Sequence, residues 1–252
     1  MILAIDCGNT RVKWGLREEH RHRGSSIGEN SGEPCGPGWR AIGAVAVEDM
    51  ARLKADWSLL PAPARIVISN VAGEPARRSL LTLLARFAVE PLWISAQRAQ
   101  CGVTNGYTDP GQLGPDRWAA LVGAWHLQRG PCLVVTAGTA TTVDILSAQG
   151  VHEGGIIVAG VDLMKRALAR NTAGLALEQG RFAQQPRCTA DAIESGCLHA
   201  QAGAIERMYS KLEAGGVCLL SGGNAPHIRP LLNIPVRAVD NLALEGLVRI
   251  GA

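Results

Sequence analysis

The 252-residue chain holds no apolar run approaching the ~20 residues that a membrane-crossing helix needs, so no membrane partner is expected. It also lacks any C-x-x-C. Its cysteines (Cys7, Cys35, Cys101, Cys132, Cys188, Cys197 and Cys218) are odd in number, and the closest two are nine apart, so neither a zinc knuckle nor a thioredoxin-type pair is available. Scattered single cysteines suit a reducing compartment, and a cytoplasmic location is expected. Cys132 and Cys218 sit in apolar runs and read as small core residues. Excess charge is missing as well: +3 is too little to claim a nucleic acid. Met1–Asp6 puts an acid where a secretory segment must stay apolar, so no signal peptide is expected. No G-x-x-x-x-G-K-[ST] occurs, and no G-x-G-x-x-G follows a strand, which sets aside two common nucleotide motifs.

What remains is globular: 47% hydrophobic and 19% charged residues. The length allows one large domain or two smaller ones and needs no disulfide or metal to hold a core. Apolar runs bounded by turn residues predict strands over Ile2–Asp6, Arg11–Leu16, Ala64–Ser69, Leu92–Ile94, Cys132–Thr136, Thr141–Leu146, Val151–Val158, Val217–Leu220 and 235–238. Helical spacing predicts helices near 48–57, 76–88, 115–127, 160–170, 189–213, 225–232 and 241–249. Residues 17–23 are mostly charged, and 24–38, rich in Gly and Pro, read as a long loop. His20 and His22 in that stretch read as solvated.

Two stretches resemble each other. Ile2–Thr10 and Leu133–Ala140 are each an apolar strand, a polar residue, a Gly turn with a hydroxyl and a return strand. This predicts a duplicated architecture, with subdomains 1–110 and 111–252, each a mixed sheet flanked by helices.

A strand ending Asp-x-Gly-x-Thr aims backbone N–H groups out of its turn, which favours an anion. The acid repels a bare phosphate but makes sense if it holds Mg²⁺ through water. Asp6, Gly8, Asn9, Thr10 and Lys13 therefore read as a nucleotide phosphate and Mg²⁺ site, although an Asp that merely closes a hairpin explains the same residues. The second turn, Thr136 to Asp144, offers hydroxyls and backbone donors, or simply β-forming threonines. Ser221-Gly222-Gly223-Asn224 after a strand leaves room for a flat base or ribose, or is an ordinary strand-to-helix turn. Asp116, second residue of the helix opened by Pro115, reads either as a complement to the helix dipole or as a general base with Arg117 beside it for an anionic group. The order of these features resembles the actin, hexokinase and Hsp70 superfamily, which implies an α/β fold of two ribonuclease-H-like (actin-like ATPase) subdomains.

The more specific resemblance is to the type III pantothenate kinases. It rests on Asp6-Cys7-Gly8-Asn9-Thr10; on Asn105-Gly106-Tyr107 followed by Leu113-Gly114-Pro115-Asp116-Arg117-Trp118; on Gly138 to Asp144; on Gly154-Gly155-Ile156-Ile157, Gly160 and Leu163-Met164; and on Thr172-Ala173. It implies ATP-dependent phosphorylation of pantothenate to 4′-phosphopantothenate, the first step towards coenzyme A. By position, Asp116 becomes the general base. Tyr107, Gly114, Pro115, Asp116, Arg117 and Thr189 become pantothenate contacts, and Arg117 suits the carboxylate because its planar fork pairs bidentately. Asp6, Cys7, Gly8, Asn9, Thr10, Arg11, Val12, Lys13 and Thr139 become ATP contacts, with Mg²⁺ at Asp6 through water. The family is a homodimer.

Two positions depart from the pattern. Thr136 stands where many members carry an Asp tied to a monovalent cation (K⁺ or NH₄⁺). A neutral hydroxyl cannot supply that charge, so K⁺ dependence is expected to be weak, or carbonyl oxygens supply the ligands. Ala159 stands where Pro is common. Two alternatives stand beside this reading: a non-catalytic regulatory protein on the same fold, motivated by Thr136, and another small-molecule kinase of the superfamily. Asp6, Asp116 and Arg117 argue against the first; Tyr107 and Leu113–Trp118 argue against the second. His152 reads as an isolated histidine with no catalytic role.

Overall fold

A computed structural model describes residues 1–18 and 38–252. The loop expected over 24–38 falls, Gly38 apart, outside the described residues, as do His20, His22 and Cys35. Contacts group the chain into two units that cut across its order. The first is Met1–Cys101, Gly111–Gly123 and Ala243–Ala252; the second is Gly102–Pro110 and Ala124–Leu242. The 1–110 and 111–252 division describes the proposed duplication, not these contact units.

In the first unit, β1 (Ile2–Cys7) and β2 (Arg11–Arg17) form the expected antiparallel hairpin. β3 (Trp39–Ala46) extends it, and β4 (Arg65–Asn70) and β5 (Pro91–Trp93) join parallel on the far side of β1. The strand order is β3-β2-β1-β4-β5. A two-residue strand, β6 (Ala99–Gln100), follows.

The sheet is covered on both faces, which is why β1 reads as an unbroken apolar run rather than an alternating one. Leu3, Ile5 and Cys7 pack with α1 (Leu53–Ser58) and α2 (Gly73–Leu84), through Leu53, Trp57, Ala76 and Leu80. Ile2 and Ala4 face the other way, onto Ala119 near the start of α3 (Pro115–Leu127) and onto Leu244, Leu247 and Val248 of α7 (Leu242–Gly251). Each large side chain so buried contributes ~1.5–3 kcal/mol. Glu245 of α7 accepts hydrogen bonds from Arg17 and, at 2.7 Å, from Trp39 Nε1, pinning the C-terminal helix to β2 and β3.

The second unit repeats the plan. Its strands are β7 (Val103–Asn105), β8 (Cys132–Ala137), β9 (Ala140–Leu146), β10 (Val151–Ala159), β11 (Val217–Ser221) and β12 (Val236–Ala238). They run β12-β11-β8-β9-β10-β7. β8, β9 and β10 pair antiparallel in turn, and β11 and β12 join parallel beside β8. Five of these strands therefore match the first sheet in order and direction, β8 taking the place of β1. Here α4 (Val161–Asn171) and α5 (Thr189–Tyr209) lie in the chain between β10 and β11, and α6 (Ala225–Ile228) lies between β11 and β12. Leu133, Val135 and Ala137 of β8 pack on Leu198, Ile205 and Ile228. The fold is α/β, with two mixed sheets flanked by helices, as expected.

Several boundaries moved. α2 starts at Gly73, and α5 stops at Tyr209 rather than 213. The helix expected over 225–232 is four α-helical residues followed by a 3₁₀ turn over Arg229–Leu231. Among the described residues, no helix is long and apolar enough to cross a membrane. Cys7, Cys132, Cys197 and Cys218 are buried, Cys101 and Cys188 are exposed, and all six are free thiols.

Candidate active site

Alternation along β1 fixes where Asp6 looks. Ile2 and Ala4 face α3 and α7, so Asp6, two residues on, faces the same way. Gly8 N donates to Arg11 O at 3.0 Å to close the turn, and Val47 N donates to Thr10 O at 3.0 Å to brace it. Asn9, Thr10 and Arg11 are exposed, while Gly8 and Lys13 are partly buried. Cys7 and Val12 lie in the core, so only their backbone groups remain to meet a ligand.

Asp116 sits at the start of α3. Trp118 N donates to Gly114 O at 2.9 Å as the first helical turn forms, and Arg117 N donates to Asp116 Oδ1 at 2.9 Å. A carboxylate there is favoured by the helix dipole. Arg117 is only 6% exposed, which is unusual for a guanidinium and requires polar partners. Trp118 is fully buried as a core residue, its Nε1 donating to Gln100 Oε1 at 3.0 Å.

Asp6 and Asp116 feel one another. Burial first, and the Asp116 charge second, raise the Asp6 carboxyl from an ordinary 3.8 to about 6; Lys13 and the Ser69 hydroxyl pull it back. Asp6 Oδ1 is buried and has no hydrogen-bond partner among the described residues. Lys13 and Arg117 lie beside these two carboxylates, yet the Asp6 Oδ1 oxygen is met by no donor among the described residues. A divalent cation fits this deficit. Among the described residues, no cluster of three or more metal-ligating side chains occurs. Mg²⁺, which keeps most of its waters, needs no more from the protein than a carboxylate such as Asp6.

In the second unit, the β8–β9 turn is clamped by the other glycine motifs. Gly160 N donates to Thr139 O at 2.9 Å, Asn224 N to Ala137 O at 3.0 Å, and Asn224 Nδ2 to Gly138 O at 3.4 Å. A Cβ on Gly160 would overlap the Gly138 carbonyl, and one on Gly222 (φ 104°) would overlap the Ala137 backbone. The structure thus brings together Gly138-Thr139, Gly160 and Ser221–Asn224. Thr139 is exposed at the tip. Thr136 holds on β8 the place that Asp6 holds on β1. Its register partners are Thr142 and Ser221, hydroxyls on both sides and no carboxylate.

Tyr107, also in the second unit, is partly buried, its ring 5.3 Å from that of His152. Thr189 is exposed as the first residue of α5. Two residues on, Asp191 Oδ1 accepts from Arg181 N at 2.8 Å, and that bond holds its carboxyl below the usual range.

A family model described as type III pantothenate kinase matches residues 2–211. The chain belongs to the type III pantothenate kinase family. A protein of that name from Nitrosospira multiformis is 48% identical over 255 residues, covering 99% of this chain and 90% of its own. Another, from Aromatoleum aromaticum, is 49% identical over 249 residues, covering 98% and 96%. Two solved structures share the fold at low identity. One is described as a Baf family transcriptional activator from Campylobacter jejuni (TM-score 0.59, 18% identity, 98% of this chain and 96% of that one). The other is described as a 2-dehydro-3-deoxygalactonokinase from Sinorhizobium meliloti (TM-score 0.56, 19% identity, 98% and 97%).

Two site features escaped the sequence reading. Ser69 reaches Asp6 only because β4 lies parallel beside β1 and pairs the two residues in register. His152, read as isolated, is fully buried, with Nε2 2.9 Å from Asp144 Oδ1. Its sequence gave one signal: it lies between the Gly138–Asp144 and Gly154-Gly155 motifs of this family.

Proposed function

We propose that this chain transfers the γ-phosphoryl group of ATP to the primary hydroxyl of pantothenate, giving ADP and 4′-phosphopantothenate. The observation that carries the reading is the Asp6–Asp116 pair: one carboxylate short of a cation, the other on a helix start beside a buried arginine. Asp6, Cys7, Gly8, Asn9, Thr10, Arg11, Val12 and Lys13, with Thr139, are assigned to ATP. Asn9, Thr10, Arg11, Lys13 and Thr139 act through side chain or backbone, Cys7 and Val12 through backbone alone. Asp6 holds Mg²⁺ through water; when bound, that ion offsets the charge of the phosphates. Gly114, Pro115, Asp116 and Arg117, with Tyr107 and Thr189, are assigned to pantothenate. The Arg117 fork pairs with its carboxylate.

Phosphoryl transfer asks the protein for alignment, charge and a proton acceptor. Asp116 accepts the proton as the O–H bond breaks. The freed oxygen bonds to the γ-phosphorus, and the bond from that phosphorus to the departing ADP oxygen breaks. General-base help of this kind is worth ~10²–10⁴-fold.

The chain acts as a homodimer in this reading. What supports it is apolar surface at α4: Leu163 of α4 and Leu177, 42% and 60% exposed, line one surface pocket. Exposed large apolar side chains that lie together favour burial against another protein surface. A monovalent cation is bound weakly at most, because Thr136 offers hydroxyl neighbours and no charge.

The discriminating experiment offers purified protein Mg²⁺ and ATP with pantothenate, or with a panel of sugars and sugar acids. ADP release that depends on pantothenate alone supports the reading. Release driven by a sugar acid instead would move the chain to another small-molecule kinase, and no release with any alcohol would favour a binding protein.

A further inference from the structure

His152 is the most completely buried ionisable ring in the second unit, and the family motifs converge on it. It is fully buried, its Nε2 lies 2.9 Å from Asp144 Oδ1, and Asp144 is itself only 2% exposed. A carboxylate only accepts, so Nε2 donates to it, and the bond fixes the orientation of the ring. The Tyr107 ring lies against it, centroids 5.3 Å apart and planes at 32°.

Three separate motif segments shape this cluster. β7 runs parallel to β10 with Asn105 opposite His152. Asn105 then turns the chain: its Oδ1 accepts from Tyr107 N at 3.0 Å, and its Nδ2 donates to Pro110 O at 3.3 Å. A side chain on Gly106 would overlap the His152 carbonyl. On the other side, β10 bulges between His152 and Gly154, and Gly154 takes φ 116°. Gly155 then sits opposite Asp144, where a Cβ would overlap the Asp144 carboxylate. Asn-Gly-Tyr and Gly-Gly thus wall one buried pair, whose acid is the last residue of the threonine-rich motif and on whose histidine a tyrosine is laid.

We infer that the Asp144–His152 pair is a positioning platform that fixes the Tyr107 ring in the pantothenate subsite. The inference rests on the assignment of Tyr107 to pantothenate made above and adds the residues that act through it. Neither His152 nor Asp144 touches substrate in this account. They set where the tyrosine stands, so their loss weakens pantothenate binding while ATP binding and the chemical step stay close to normal.

The test uses full-length His152→Gln, Asp144→Ala and Asp144→Asn, with Tyr107→Ala in parallel. His152→Gln and Asp144→Ala are expected to raise the KM for pantothenate about tenfold, with the KM for ATP unchanged and kcat within about threefold. Asp144→Asn, which keeps an acceptor for Nε2, is expected to recover most of the loss. A second readout is independent of turnover. The chain has two tyrosines, Tyr107 and Tyr209. With ring-¹³C tyrosine, the Tyr107 signal should shift in His152→Gln and Asp144→Ala while the Tyr209 signal stays. Wild-type KM values and an unmoved Tyr107 signal in either folded variant would overturn the inference. So would an equal fall in kcat for saturating pantothenate without a change in KM. If Tyr107→Ala itself leaves the pantothenate KM unchanged, the assignment of Tyr107 fails and takes the platform with it. A raised KM there beside normal values in the other variants sinks the platform alone.

Discussion

Asp6→Asn should stabilise the ligand-free protein at neutral pH, and should not do so in acid. The carboxyl is raised from an ordinary 3.8 to about 6, by burial first and by Asp116 second. The sign follows from which state holds the proton more tightly. Near pH 3 and below, the group is protonated in both folded and unfolded chains, so its burial costs nothing extra. Between 3.8 and 6 the unfolded chain ionises first, and the folded state is progressively disfavoured. Above about pH 6 the full cost is present, on the order of 3 kcal/mol. Asparagine is a neutral stand-in of the same shape. Wild type and Asp6→Asn should therefore unfold alike near pH 3, part by about 1 kcal/mol at pH 4.5, and differ by ~1–3 kcal/mol by pH 7.5, with a flat difference beyond. Urea unfolding in EDTA across that range reads it directly. In the same titrations, Mg²⁺ with ATP should stabilise wild type and do so much less for the variant. Parallel pH curves with no growing gap would refute the claim that Asp6 is a carboxylate lacking its cation.

Asp116→Asn should lower kcat by at least ~10²-fold while leaving the KM for ATP near normal, measured by steady-state kinetics; a rate within a few-fold of wild type would leave it a helix-capping residue. Thr136→Asp should confer activation by K⁺ or NH₄⁺ over Na⁺ in a chain that otherwise responds weakly, and strong K⁺ activation of the wild type would contradict the reading of its hydroxyl neighbours. Glu245→Ala, which strips the acceptor from Arg17 and Trp39, should cost ~2–4 kcal/mol in urea unfolding, with Glu245→Gln recovering much of it. Leu163→Arg on the exposed face of α4 should shift a homodimer towards monomer in sedimentation; an unchanged oligomer would place the contact elsewhere.

Legibility in the sequence followed burial. β1, β4, β8 and β11 are buried on both faces, so their apolar runs stood out. Pro115 at the head of α3 marked its start, and the helix ends at Leu127 as expected. β3 was missed because it lies at the sheet edge and its Ala-Ile-Gly-Ala-Val-Ala stretch has mixed burial and no alternation; pairing with β2 makes it a strand, not its own composition. β7 is three residues long and was absorbed into a turn-rich stretch. At the site, Asp6 and Asp116 were legible from local context: a strand end and a helix start. Their mutual charge was not, because it depends on which face of β1 meets α3. The pairing of His152 with Asp144 was illegible for the same reason. A lone histidine has no periodicity, and its partner eight residues back is brought beside it only by the β9–β10 hairpin and its bulge.

The most direct measurement follows the phosphoryl group itself. ATP labelled at the γ-position is offered with Mg²⁺ and pantothenate to wild type and to Asp116→Asn, and the products are resolved by mass spectrometry. At early times the wild type alone should carry label to the primary hydroxyl of pantothenate, with one ADP for each. Label released as free phosphate, or carried to pantothenate equally fast by Asp116→Asn, would contradict it.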